Sequence, residues 1–149
     1  MLPDWIELCT LLNAHNAEYL VVGGQAVIAH GYPRLTKDMD LLVRPTASNG
    51  ARILAALAAF GADPERLTPQ QFEDPRTVLM LGREPFRVDI LTDIPGVTFD
   101  EAWGSRIYVT LDAVPLPMIG KAQLIKNKRA VGRLQDLADA EELEKLDEP

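Results

Sequence analysis

Three acidic residues set the chemistry this chain can do. Asp38 and Asp40 stand two apart at the head of the apolar run Leu41-Leu42-Val43, and Asp89 lies within Val88-Asp89-Ile90-Leu91. Strand side chains alternate between faces, so Asp38 and Asp40 point the same way, close enough to share a divalent cation. Acids on one side of an otherwise apolar strand are costly to bury unless they are paired or bind metal. If strand 38–44 pairs with strand 86–91, Asp89 joins them. Three carboxylates on one face suit two Mg²⁺ ions, hard cations that take oxygen ligands and complete their shells with phosphate oxygens. Gly23-Gly24 ends the strand-like run Tyr19-Leu20-Val21-Val22 and opens a short helix, leaving backbone N–H groups for an anion such as a phosphate. Together these features point to a metal-nucleotide site.

A basic segment follows much later. Residues 113 to 135 contain Lys121, Lys126, Lys128, Arg129 and Arg133 and no acid, whereas the stretch from Asp136 to Glu148 is strongly acidic. Such segregation makes a solvated helix surface or lines a phosphate pocket. On a helix, Lys121, Leu124, Ile125 and Lys128 share one side and Lys126 points away. A lysine on the buried-side stripe needs an anionic partner, which makes Lys128 the best side-chain candidate for a phosphate, with Arg133 assisting. Asp136 and Asp139, one turn apart, either orient these bases or serve as helix-dipole and solubility residues. Arg34 and Thr36 read as loop residues that hold the Asp38 strand in place. His15 and His30 have no metal-ligand spacing. Trp5 and Trp103 read as core anchors, and Cys9, the only cysteine, as a small buried hydrophobe.

The elements that must position these groups follow from pattern and punctuation. Pro3-Asp4 followed by Trp5, Ile6, Leu8, Leu11 and Leu12 predicts an amphipathic helix ending near 13–16. A strand at 19–23, a short helix near 24–31, a turn at Gly31-Tyr32-Pro33 and a strand at 38–44 come next. A helix then runs from Pro45-Thr46 to Phe60, stopped by Gly61 and Pro64, and Thr68-Pro69 caps a further helical turn. Thr77–Leu81 and Phe86–Leu91 are strands joined closely enough for an antiparallel hairpin. Thr98–Trp103 is expected as helix, Arg106–Leu111 as strand and Val114–Met118 as extended chain, since two prolines forbid helix there. Helices over about 119–131 and 134–146 finish the chain, separated by Gly132. The sum is an α+β or α/β mixed sheet in a single domain, 1–149.

Composition narrows the class. With 149 residues, 47% of them hydrophobic, the chain can bury a real core. A net charge of −7 argues against a broad nucleic-acid footprint, which needs a basic surface. The longest apolar stretch, Ile53 to Phe60, is too short to span a bilayer, and the N-terminus shows no signal pattern; a cytoplasmic protein without a membrane partner is expected.

Taken in order, Gly23-Gly24, Asp38-Met39-Asp40 and Asp89 resemble the core pattern of the nucleotidyltransferase superfamily, the DNA polymerase beta-like group. Arg34-Leu35-Thr36-Lys37-Asp38-Met39-Asp40 and the tail residues Leu124-Ile125, Lys128, Arg133, Asp136 and Asp139 are similar to the minimal bacterial branch that includes AbiEii-type toxins. The resemblance spans residues 18 to 143. It implies a mixed sheet flanked by helices with a C-terminal helical pair, and two-metal transfer of a nucleoside monophosphate from a nucleoside triphosphate to a hydroxyl. In those terms Asp38, Asp40 and Asp89 are the catalytic and metal-binding residues for two Mg²⁺ ions, while Gly23, Gly24, Lys128 and Arg133 bind the nucleotide. Gly24 stands where many relatives carry serine, which leaves that phosphate contact to the backbone or to Gln25. The chain is short beside larger relatives with a separate helical or base-binding domain, so acceptor recognition is expected to need a partner or a second subunit. The resemblance implies an RNA or protein acceptor and a cognate antitoxin as partners. An antibiotic adenylyltransferase for aminoglycosides or lincosamides, and a non-catalytic nucleotide- or partner-binding module, are the alternatives.

Overall fold

The computed structural model describes residues 1–62 and 67–146. The helix stop expected at Pro64 lies outside them. Six strands form one mixed sheet: β1 (Tyr19–Val22), β2 (Asp38–Val43), β3 (Val78–Leu81), β4 (Arg87–Leu91), β5 (Ile107–Leu111) and β6 (Val114–Met118). Their order across the sheet is β3-β4-β2-β1-β6-β5. The β2–β4 and β1–β6 pairs are parallel and the other neighbours antiparallel. Among the described residues six helices accompany the sheet: α1 (Pro3–Ala14), α2 (Gly23–Ala29), α3 (Ala47–Phe60), α4 (Phe99–Gly104), α5 (Lys121–Val131) and α6 (Leu134–Lys145). A 3-10 turn at Pro69–Glu73 follows α3.

Boundaries follow local chemistry. The Thr46 hydroxyl accepts from Asn49 N at the start of α3, and Thr98 does the same for Glu101 N at the start of α4. Gly61 and Gly132 close α3 and α5 in left-handed conformations. β1 stops at Val22, one residue before the expected end, because Gly23 has φ +65°, which no strand can continue.

Every residue of β1 is buried, as a strand covered on both faces must be. In β2 and β4 burial alternates instead: Met39, Leu41, Val88 and Ile90 enter the core, and the residues between them near the strand starts are only half-buried. Trp5 and Cys9 of α1 join that core, and burial pushes the Cys9 thiol up to about 12, so it stays a neutral hydrophobe. Trp103 lies at the core margin, stacked on Phe99 with the Arg106 guanidinium over its ring, so it anchors less than its type suggests.

The register of β1 on β2 is fixed at the end away from the acids. The buried side chain of Asn49 donates to Glu18 O at 3.0 Å and Arg44 O at 3.1 Å, and accepts from Glu18 N at 2.8 Å. With Tyr19 opposite Val43, Val22 falls opposite Asp40. The turn after Val22 is thereby delivered to that carboxylate.

Candidate active site

The parallel β2–β4 register sets Asp38 beside Arg87 and Asp40 beside Asp89. Paired residues on neighbouring strands share a face, so Asp38, Asp40, Asp89 and Arg87 all project from the half-buried side of the sheet, away from Met39 and Val88. Gly23 abuts this group. A Cβ built on it would collide with Asp40 Oδ2, so the position is restricted to glycine by space as well as by its positive φ.

The acids are incompletely balanced. Arg87 Nε donates to Asp89 Oδ1 at 3.2 Å and Nη2 to Asp89 Oδ2 at 3.3 Å, with Asp38 Oδ2 3.7 Å from Nε. These contacts hold the Arg87 guanidinium above its ordinary pKa, the Asp89 hydrogen bond most of all. The Asp40 carboxyl is pushed up to about 6, first by burial and then by the charges of Asp89 and Asp38; Lys128 and Arg87 oppose the rise. A carboxylate cluster that repels itself is relieved by a cation, and oxygen donors are the ligands Mg²⁺ takes. The residues fit Mg²⁺ by donor type and by face. Among the described residues, however, no three acidic, His or Cys side chains already converge on one point. Two of the three acids turn to the half-open side chain of Arg87 instead.

A second charge cluster lies behind α5 and α6. Lys128 is buried, with Nζ 3.2 Å from Asp136 Oδ1 and 3.2 Å from Asp139 Oδ2. Arg133 Nε donates to Asp136 Oδ2 at 2.7 Å, and Arg34 Nη2 donates to Asp139 Oδ2 at 3.0 Å. Arg34 Nε, 3.0 Å from Asp139 Oδ1, lies off the line of a hydrogen bond, so that contact is ionic. Burial acts to raise the Asp136 pKa, but the hydrogen bonds from Arg133 and Lys128 outweigh it and hold the carboxyl below its usual range. Asp136 and Asp139 are thus buried partners of the bases and not surface helix-dipole residues. Lys126, by contrast, reaches outward to Glu101 at 3.1 Å.

The structure therefore sets Asp38, Asp40 and Asp89 on one sheet face with Gly23 against Asp40, while Gly24 lies against Thr36 and Arg34. It places Lys128 within electrostatic reach of Asp40, already engaged with two aspartates, and leaves Arg133 at the exposed margin of the same network. Reading the sequence for acids alone misses Arg87, although its place two residues before Asp89 puts it on the same strand face. His15 and His30 each spend a ring nitrogen on a backbone carbonyl, of Leu11 and of Ile119.

No protein-family model matches the sequence, and no curated protein matches it either. Solved structures do. A candidate nucleotidyltransferase from Thermotoga maritima is 17% identical with a TM-score of 0.58, the match covering 93% of this chain and 87% of that one. An antigenic nucleotidyltransferase-like protein from Paracoccidioides brasiliensis is 19% identical with a TM-score of 0.58, covering 99% of this chain and 78% of that one. The chain has the nucleotidyltransferase fold. Among the described residues no helix is long and apolar enough to cross a membrane.

Proposed function

We propose that this protein is a Mg²⁺-dependent nucleotidyltransferase that moves a nucleoside monophosphate from a nucleoside triphosphate to a hydroxyl acceptor. One observation carries the reading: three carboxylates share one sheet face, and the glycine turn is pressed against the central one. Asp38, Asp40 and Asp89 would hold two Mg²⁺ ions, which when bound supply Lewis-acid stabilisation of the charge that develops on phosphoryl transfer. The backbone N–H groups at Gly23-Gly24 hold the β and γ phosphates, and Lys128 and Arg133 add positive charge behind them. Asp89 draws the proton from the acceptor hydroxyl. The acceptor oxygen then bonds to the α-phosphorus as the bond to the bridging oxygen breaks, and pyrophosphate leaves.

We assign the acceptor hydroxyl to an RNA end or a protein side chain. A toxin role, with a cognate antitoxin as partner, belongs to the same reading and is supported by the likeness of the Arg34–Asp40 stretch to that branch. The test is incubation of the purified protein with each α-labelled triphosphate, Mg²⁺ and cell extract. Label in RNA or in protein identifies the acceptor. No transfer, together with no triphosphate binding by calorimetry at millimolar Mg²⁺, would sink the enzymatic reading.

A further inference from the structure

We infer that Thr36 donates its hydroxyl to a phosphate of the bound triphosphate, from the loop that faces the glycine turn. Gly24, unlike Gly23, has no positive φ, so its backbone does not demand glycine. Space does. A Cβ at Gly24 would lie 2.6 Å from Thr36 Oγ1, 2.9 Å from Thr36 Cβ and 3.3 Å from Arg34 Nη2. All three are side-chain atoms of the loop between α2 and β2. The missing side chain at position 24 is what admits them, and the Thr36 hydroxyl occupies the place that a hydroxyl carried on residue 24 would need.

The loop is held there firmly. Arg34 Nη1 donates to Leu35 O at 3.0 Å while its other nitrogens grip the buried Asp139. Thr36 is only half-buried, and among the described residues its hydroxyl makes no hydrogen bond. A hydroxyl is both donor and acceptor and ordinarily finds a partner. One held beside this turn without a protein partner, and with a guanidinium next to it, can donate to an anionic oxygen. The inference rests on the nucleotidyltransfer reading and adds to it the residue that completes the phosphate cradle.

The arrangement makes an unusual demand on double variants, because hydroxyls at 24 and 36 compete for one location. The probe is inorganic tripolyphosphate with Mg²⁺, which removes the base and sugar from the measurement; binding is read by calorimetry and folding by thermal unfolding. Thr36→Val keeps the shape and loses the hydroxyl, and should bind about tenfold more weakly with an unchanged unfolding midpoint, the cost of one hydrogen bond to a charged group. Gly24→Ser in the wild-type background should lower both affinity and midpoint through the 2.6 Å clash. Gly24→Ser combined with Thr36→Gly, which removes both the hydroxyl and the Cβ that a side chain at 24 would strike, should recover binding to within about threefold of wild type, a non-additivity expected only of groups in contact. Wild-type affinity in Thr36→Val, or a double variant no better than Thr36→Gly alone, would overturn the inference and leave the nucleotidyltransfer reading intact. Failure of the wild type to bind either tripolyphosphate or any of the four nucleoside triphosphates would remove both.

Discussion

The protein holds two clusters of aspartate that answer the same electrostatic problem in opposite ways. On the sheet face, among the described residues, Arg87 is the one cation in contact with Asp38 and Asp89, no cation contacts Asp40, and the Asp40 carboxyl rises to about 6. Between α5, α6 and the Arg34 loop, Asp136 and Asp139 have Lys128, Arg133 and Arg34, and the Asp136 carboxyl is held low in spite of its burial. Charges buried with all their partners are architecture, and removing one partner leaves the others stranded. Charges left with few partners at a half-open face are served by water or a proton, and can take a cation from outside. The contrast separates the buried scaffold from the face on which the proposed function rests.

The largest effect that can break this contrast is expected in the buried cluster. Lys128→Met should lower the stability of the protein by about 3–5 kcal/mol in urea unfolding, because two buried aspartates lose their common partner. Lys126→Ala should change it by less than about 1 kcal/mol, since its bridge to Glu101 is exposed. Equal, small losses in both would mean that the buried network is not structural and that Lys128 is free to serve the nucleotide directly.

The second effect belongs to the acid face. Triphosphate with Mg²⁺ at about 100 times its dissociation constant should stabilise the wild type by about 2.7 kcal/mol, and Asp40→Asn or Asp89→Asn should lose most of that gain. The variants should remain folded, in contrast to Lys128→Met. Retention of the full gain in both variants would detach the acids from the ligand.

The two clusters are also unequally legible. Period-two alternation suffices to put Asp38 and Asp40 on one face, and the pairing of 38–44 with 86–91 brings Asp89 beside them; a strand pattern fixes side-chain direction. Arg87 is open to the same argument. The helical stripe marks Lys128 as a lysine in need of an anion, but not which anion, since its partners arrive only when Gly132 folds α6 back on α5. Arg34 and Asp139 meet from 105 positions apart, and Thr36 meets Gly24 through the path of an irregular loop. No local periodicity encodes either meeting. Sequence reading reaches the groups whose placement is set by one element and stops at those set by the packing of several.

A third prediction uses the sign of the Asp40 shift. The folded protein binds the Asp40 proton more tightly than the unfolded chain, whose carboxyl has the ordinary value of 3.8 against about 6. Stability from this group therefore falls as pH rises from about 4 to about 6, and the penalty is complete above that window. Without divalent cations, Asp40→Asn should stabilise the protein at pH 8 by about 1–2 kcal/mol, a figure reduced for the partly open face. The gain should shrink as pH falls and vanish near pH 3, below the ordinary value of 3.8, where Asp40 is protonated in both states. Urea unfolding at the two pH values checks it, and a variant less stable than wild type at pH 8 would mean that ionised Asp40 is already well compensated.

The smallest effect tests how the acid face waits for its cation. Arg87 donates to Asp89 and stands 3.7 Å from Asp38, so it occupies the electrostatic position that an entering ion would take. Its side chain is 39% exposed, and a pair of that kind contributes little and rearranges readily. Arg87→Gln should bind Mn²⁺ a few-fold more tightly than wild type, as measured by paramagnetic resonance of the free ion, because the competitor has gone while the carboxylates remain. The same substitution should leave the buried cluster untouched, so the unfolding midpoint should stay close to that of wild type. Weaker Mn²⁺ binding in the variant would give Arg87 the opposite role, that of holding Asp89 and Asp38 in the orientation the ion needs, and the acid face would then be as internally organised as the cluster around Lys128.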